Sequence, residues 1–377
     1  SAVPERLRDK VTNSDALDKA AERFAVIDTI KQAGAKSEEH FGTVLGTLAD
    51  NNIYPVQSIG GEWSVIALAR AGKLSADKAA KYYSDLCEAV KANGSDRLSD
   101  RKPTENARVI IALSSLGKNS ADIAGYNLLS GLDDMDYITS QGINAVIFSL
   151  IAFDTTDYSA KTHDELIAYI VDNMTGKGWA LAGDTADVDV TAMAIQALAP
   201  YAADEKVNAA IDSGLEFLAE SLDENARYAN GSESTSQVLI ALAALGIDPL
   251  TDSRFIVDGI TLIDALESYA TENGYSHTLG GEENYMATEQ ATLALTAYEL
   301  SKDGTSLYEM SAQAEPTEPE DPDTPAQPGD SVKPGDCSGK PDDKNDPINP
   351  GTGVLVTGGM AVLISGAVML ISKKKRK

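Results

Sequence analysis

From Gly61 onward the chain alternates between two kinds of apolar pattern. Runs of the first kind begin on a small or polar residue and then place apolar side chains on nearly every face: residues 61–72 (GEWSVIALARAG), 103–117 (PTENARVIIALSSLG), 141–153 (QGINAVIFSLIAF), 187–201 (DVDVTAMAIQALAPY), 232–246 (SESTSQVLIALAALG) and 286–300 (MATEQATLALTAYEL). Their starts lie 42, 38, 46, 45 and 54 residues apart, so they read as six copies of one unit. Runs of the second kind, at 76–90, 163–173, 205–221 and 254–270, space their apolar residues by three and four with charges between them, the mark of amphipathic helices. No segment before residue 311 alternates convincingly with period two, so no strand is expected. A helix that is apolar all round must be buried, whereas one with a polar face lies outside. Six such alternations predict an all-α domain over residues 1–310, an α6/α6 toroid in which an inner ring of parallel helices sits inside an outer ring. The other arrangement of paired helices, an open solenoid, does not require one helix of each pair to be so uniformly apolar.

The pattern changes twice near the C-terminus. Residues 311–350 hold nine of the 14 prolines, ten acids and three lysines, with almost no large apolar group. Such a stretch buries too little surface to offset its ordering entropy, so a disordered, self-repelling spacer is expected. Residues 354–371 then carry no charge, and a helix of that length spans roughly 27 Å, enough for a transmembrane segment. The basic tail at 373–377, KKKRK, marks the cytoplasmic side and leaves everything before residue 354 outside. Between spacer and span stands Asn349-Pro350-Gly351-Thr352-Gly353. In that order, over residues 349–377, the pentapeptide, apolar run and basic tail resemble the cell-wall sorting signal of Gram-positive bacteria, with Asn349 in the place of the commoner Leu. The resemblance implies a sortase that cuts between Thr352 and Gly353 and joins Thr352 to peptidoglycan. Retention of 354–371 as a simple membrane anchor is the alternative, and both give an extracellular protein.

Composition narrows the classes. With 58 acidic and 31 basic side chains the net charge is −27, which disfavours a nucleic-acid partner, while 43% apolar residues exclude wholesale disorder. Cys87 and Cys337 form no CxxC pair, and His40, His163 and His277 lie far apart, so the spacing shows neither a zinc finger nor any other metal site, and no cofactor.

Several segments carry a family resemblance: residues 60–70 (GGEWSVIALAR), 125–129 (GYNLL), 179–181 (WAL), 187–194 (DVDVTAMA), 232–235 (SEST) and 286–290 (MATEQ). Together they resemble the prenyltransferase and squalene-oxidase repeat surface proteins of Firmicutes, over roughly residues 15–302. The resemblance implies the toroid shared by terpenoid cyclases, protein prenyltransferases, complement thioester domains and the α-domains of intrinsic factor and transcobalamin. It does not by itself imply one activity.

Each chemistry of that fold can be set against the residues. Residues 187–192 (DVDVTA) resemble the cyclase Asp-x-Asp-Asp-Thr-Ala motif with Val190 in the last acidic place, so Asp189 would be the proton donor and Asp187 its perturbing neighbour. A cyclase needs a cavity walled by aromatic faces, and only 6% of the residues are aromatic. The thiol of a prenyltransferase zinc site would have to be Cys87, in an amphipathic run, and the thioester motif is absent. What the repeats do provide is an acid in or beside the first turn of five inner helices: Glu62, Glu105, Asp189, Glu233 and Glu289, with Asn144 in the remaining one. Acids there also complement the helix dipole. In a toroid they would converge on one mouth, together with Trp63, Asn106, Gln141, Trp179 and Asp187 from the first four repeats and Gln237, Tyr285 and Gln290 from the last two. Such a rim suits a small polar ligand. The relation to intrinsic factor and transcobalamin, whose toroid binds cobalamin beside a β-domain, makes cobalamin or a similar corrinoid the leading expectation. A glycan-binding or glycan-degrading (α/α)6 module, the latter needing two carboxylates across a cleft, is the alternative, with a terpenoid cyclase behind it.

The sorting-signal reading makes a direct prediction. Mass analysis of protein released from the wall by a muramidase should show a chain ending at Thr352, and Thr352→Ala should move the protein to the membrane fraction with residues 354–377 intact.

Overall fold

Each of the six apolar runs forms a helix where its pattern places it, as seen in a computed structural model that describes residues 37–50 and 54–310. The expected spacer at 311–350, the sorting motif at 349–353, the apolar span at 354–371 and the basic tail lie outside these residues. Among the described residues there are thirteen α-helices, two 3₁₀ turns and no strand, and no helix is long and apolar enough to cross a membrane.

In chain order the helices are α1 (37–50), α2 (Ile59–Arg70), α3 (Ala76–Asn93), α4 (Pro103–Ser115), and the short α5 (Leu128–Leu132) and α6 (Met135–Thr139). They continue with α7 (Ile143–Asp154), α8 (His163–Asp172), α9 (Val188–Leu198), α10 (Glu205–Glu220), α11 (Ser232–Ala244), α12 (Leu262–Glu267) and α13 (Tyr285–Lys302). Local chemistry sets many of the starts. Asp187, Asp204 and Asn284 accept amide protons at the N-termini of α9, α10 and α13, Pro103 opens α4, and Thr261 with Asp264 forms a capping box on α12.

The expected amphipathic helix over 254–270 is not continuous. A 3₁₀ turn at Ser253–Phe255 and α12 replace it, separated by a tight turn with Asp258 at φ 49° and Gly259 at φ 85°, closed by backbone pairing of Val257 with Ile260. Two successive residues in the left-handed region stop a right-handed helix, whatever the apolar spacing around them. The same pairing recurs between Ile123 and Tyr126 and between Thr175 and Gly178.

Helices α2, α4, α7, α9, α11 and α13 each pack on the next in that order, and α13 packs back on α2. Their residues are buried on nearly all sides, among them Ile66, Leu68, Ile110, Ile111, Val146, Ile195 and Leu239, and each such side chain contributes about 1.5–3 kcal/mol. The half-polar elements lie against them: α5 on α4, α8 on α7, α10 on α9 and α12 on α11. Helix α3 is tied to α2 where Tyr82 Oη–H donates to Glu62 Oε1 at 3.0 Å. Helix α1 reaches the far end of the chain, with Ser37 Oγ–H donating to Glu267 at 3.1 Å and His40 Nε2 lying 3.0 Å from the Thr271 carbonyl.

The Gly60-Gly61 pair has a steric cause. A Cβ on Gly61 would stand 1.7 Å from the Pro55 carbonyl oxygen, and one on Gly60 would stand 2.8 Å from a ring carbon of Tyr285. The chain entering α2 and the start of α13 both press on this point. Gly61→Ala should therefore lower the unfolding free energy by about 2 kcal/mol or more, read as a drop in melting temperature. The control is Gly42→Ala on α1, where nothing lies within 4 Å; it should be neutral or stabilising.

Candidate functional site

Residues from the first turns of three successive helices share one small cavity. Asp189 of α9, Glu233 of α11 and Met286 of α13 stand at its edge, with Gln237 and Gln290 one turn deeper and Trp63, Phe148, Met193, Ile240, Leu293 and Tyr308 forming the remaining wall. Its volume is about 60 Å³, room for one or two waters or for a single side group of a larger molecule. Carboxylates and amides thus rim a floor of aromatic, aliphatic and thioether groups. The two rings across it, Trp63 and Phe148, are tilted at 5.5 Å between centroids.

Each rim group is held. Ser234 Oγ–H donates to Asp189 Oδ1. Glu233 lies 2.8 Å from His277 Nδ1 and also accepts from Ser232 Oγ–H at 3.2 Å. Gln196 donates to the Gln237 side chain at 2.9 Å, and Gln237 in turn donates to Gln290 Oε1, so an amide chain runs from α9 across α11 to α13. The indole N–H of Trp63 is buried beside the cavity without a protein acceptor.

The other expected rim residues sit elsewhere. Glu62 is wholly buried, 0% exposed; its Oε1 accepts from the Gln57 amide at 2.7 Å and from Tyr82, and its Oε2 from the Ser58 amide at 2.8 Å and from Arg108 Nε–H at 3.0 Å. Burial pushes its carboxyl upward, while Arg108, Tyr82 and the Ser58 amide pull the other way. Glu105 accepts from Arg108 Nη2–H at 2.5 Å, so both acids are bound to one guanidinium between α2 and α4. Asn106 is spent on backbone groups of Asp96, Leu98 and Leu128, and Gln141 accepts from the Thr104 amide and hydroxyl. Trp179 is buried with its indole N–H donated to the Ile170 carbonyl at 2.6 Å, and Asp187 caps α9 through the Val190 amide. The Oδ1 atom of Asn144 is buried without a protein partner.

Glu289 and Tyr285 make the contact between α13 and α2. Ser64 donates both its amide, at 3.0 Å, and its hydroxyl, at 2.7 Å, to Glu289 Oε1, while Oε2 is buried with no partner. Burial, with the Glu62 charge nearby, raises this carboxyl to about 8 against the two Ser64 bonds. Tyr285 is 46% exposed, and its hydroxyl donates to the Gly60 carbonyl at 2.6 Å.

Of the expected rim, the cavity brings together Trp63, Asp189, Glu233, Gln237 and Gln290, beside Tyr308, while Arg108 holds Glu62 and Glu105 and His277 lies against Glu233; the sequence reading named none of Arg108, His277 and Tyr308 for these places. Arg108, three residues after Glu105 on one helix face, carried a legible signal. His277 and Tyr308 lie in irregular segments whose placement no periodicity reports.

Among the described residues no group of three histidines, cysteines or acids is placed to hold a metal ion. Comparison with protein-family models, curated proteins and solved structures finds no match to the chain.

The protonated Glu289 predicts a pH dependence of stability. Between about 4.5, its ordinary value, and about 8 the folded protein holds a proton that the unfolded chain has released, so stability is highest below this window and falls as pH rises through it. Denaturant titrations at several pH values should show that fall, and Glu289→Gln should remove it.

Proposed function

We propose that the protein is a surface-anchored, non-catalytic α6/α6 toroid, of the prenyltransferase and squalene-oxidase repeat type, that takes up a corrinoid at the N-terminal mouth of its inner ring. The toroid reading is supported by the cyclic order in which α2, α4, α7, α9, α11 and α13 pack, with the last helix on the first. A second support is that first-turn residues of α9, α11 and α13 meet in one cavity, while last-turn residues of α7, α9 and α11 meet in another. Parallel helices in a ring would do both.

The observation that carries the ligand reading is the pairing of two carboxylates, Asp189 and Glu233, with the amides of Gln237 and Gln290 above an apolar floor. A corrinoid bears a rim of primary amides, whose N–H groups suit carboxylate acceptors and whose carbonyls suit the glutamine amides. The cavity is far smaller than the roughly 300–1,000 Å³ that encloses a whole ligand. The macrocycle would therefore lie across the mouth and send one side group inward, which leaves an open face for a second module. By the same measure the cavity has no room for a folded isoprenoid chain, and a cyclase is not proposed.

Titration of the full chain in mild detergent with cobalamin, followed by its visible spectrum and by calorimetry, tests this. Binding should be seen, and Asp189→Asn combined with Glu233→Gln should weaken it at least about tenfold, since two charge-assisted hydrogen bonds are lost. No change in either signal up to about millimolar cobalamin would sink the corrinoid reading. The two carboxylates on one cavity also fit a glycan hydrolase, and release of sugar from polysaccharide that Asp189→Asn abolishes would put that reading in its place.

A further inference from the structure

One polar atom beside the mouth cavity is left unsatisfied by the protein. Trp63 of α2 is 4% exposed, and its indole N–H, a group that can only donate, has no acceptor. Buried donors are paired in folded proteins as a rule, and an exception asks for a water or a ligand. The indole forms part of the cavity wall, so the cavity is the space from which an acceptor can be supplied.

The rest of the rim sets what that acceptor belongs to. Gln237 Oε1 accepts from Gln196 and Gln290 Oε1 accepts from Gln237, so both carbonyls are engaged and Gln290 has its N–H groups to offer a guest. Asp189 and Glu233 offer acceptors. Ser234 donates to the first, Ser232 and His277 stand against the second, and a carboxylate has about four lone-pair sites. The cavity therefore presents N–H donors from α2 and α13 and carboxylate acceptors from α9 and α11, over an apolar floor.

Four kinds of side group can be set against that pattern. A carboxylate brings no proton for the two acids and is repelled by them. An ammonium serves the acids but has no lone pair for Trp63, whose buried N–H stays unpaired. A hydroxyl has one proton for two acids. A primary carboxamide has two protons on nitrogen, for Asp189 and Glu233, and two lone pairs on oxygen, for Trp63 and Gln290. At about 60 Å³ the cavity takes a group of that size and not the molecule that carries it.

We infer that the cavity is a receptor for one neutral primary carboxamide, and that Trp63 determines this specificity by reading the carbonyl oxygen. The inference rests on the proposal that one side group of a larger ligand enters the mouth, but not on that ligand being a corrinoid. Applied to corrinoids, it selects those whose side groups are amides over those whose side groups are free acids.

The chain has two tryptophans, so the isotope-labelled full chain in mild detergent should give two indole N–H signals by heteronuclear NMR. Trp179 donates to the Ile170 carbonyl at 2.6 Å and is the internal reference; Trp63→Phe assigns the other signal, or Trp63→Tyr should that variant misfold. Titration with propionamide, up to the roughly 0.3 M that a ligand of so few atoms calls for, should move the Trp63 signal downfield to saturation and leave Trp179 in place. Propionate, propylammonium, propanol and N,N-dimethylpropionamide should bind at least about tenfold more weakly, as should propionamide to Asp189→Asn combined with Glu233→Gln. A Trp63 signal that propionamide leaves in place means that water alone satisfies the indole, and overturns the inference; so does an equal response to any of the other four probes. Cobalamin keeps the two readings apart. Equally tight binding to wild type and Trp63→Phe overturns the carboxamide inference and leaves the corrinoid reading standing, whereas a propionamide response without cobalamin binding sustains this inference and sinks the corrinoid.

Discussion

Helix α13 meets α2 across 225 positions of sequence, and the contact is made by Glu289, a carboxyl group with no cationic partner in hydrogen-bond reach. Bringing such distant segments together carries a loop-closure penalty that only the apolar burial along the two helices offsets. The polar atoms then decide register. Ser64 N–H and Gly60 C=O are four residues apart on α2 and would ordinarily bond only to each other. Here the amide also reaches Glu289 and the carbonyl also accepts from Tyr285. Helix α13 thus grips one rung of the α2 backbone, which a slip of either helix by one residue would break. Gly60 leaves room for the tyrosine ring that does this, and Gly61 leaves room for the chain at Pro55. The double glycine at the start of α2 is a consequence of the closure between last and first helices.

The acids at the helix starts occupy equivalent positions in the repeats yet do unlike things, and the neighbour on the next helix decides which. Glu62 faces Arg108 and Tyr82, so its charge is neutralised in a buried network that joins α2, α3 and α4. Breaking such a network from one side leaves an uncompensated charge, which is why one guanidinium serves both Glu62 and Glu105. Glu289 faces only the amide and hydroxyl of Ser64, and it is cheaper for this group to keep its proton than to bury a charge. Asp189 and Glu233 face hydroxyls and a histidine at the edge of a cavity. Most of the net charge of −27 belongs to other acids.

Much of the fold was legible because burial on all sides leaves a compositional trace that single-face burial does not. The six apolar runs mark α2, α4, α7, α9, α11 and α13, with starts displaced by two residues or fewer. Residues 254–270 were misread because Asp258 and Gly259 break the helix through backbone conformation, and apolar spacing is blind to that. The cavity was half legible. Periodicity placed Asp189, Glu233, Gln237 and Gln290 on the turns that border the cavity, but which way a first-turn acid points depends on the residue it meets on a neighbouring helix. Glu62 and Glu289 do not line the cavity; Arg108 and Ser64, on other helices, hold them. Trp179 shows the same limit: its size suggested a rim, whereas the buried carbonyl of Ile170 holds it in the core.

The two ends of each buried helix differ electrostatically before any side chain is considered, since its peptide dipoles leave partial positive charge at the N-terminus and partial negative charge at the C-terminus. Carboxylates at the first turns of α9 and α11 are therefore stabilised where they stand at the edge of the cavity. At the other end the same field disfavours anions, and Asp154 at the end of α7 is held there by Tyr201 Oη–H at 2.6 Å, with His163 Nε2 at 3.0 Å. Between the two ends lies the segment after α13, fastened by Arg70 Nη2–H to the Ser306 carbonyl at 2.8 Å, with Leu307 buried and Tyr308 forming a wall both of the mouth cavity and of one cleft at the far end. A single phenol ring thus lines both the cavity at the first turns and a cleft at the last turns. Any coupling between the two ends has to pass through Tyr308 or through the helices themselves.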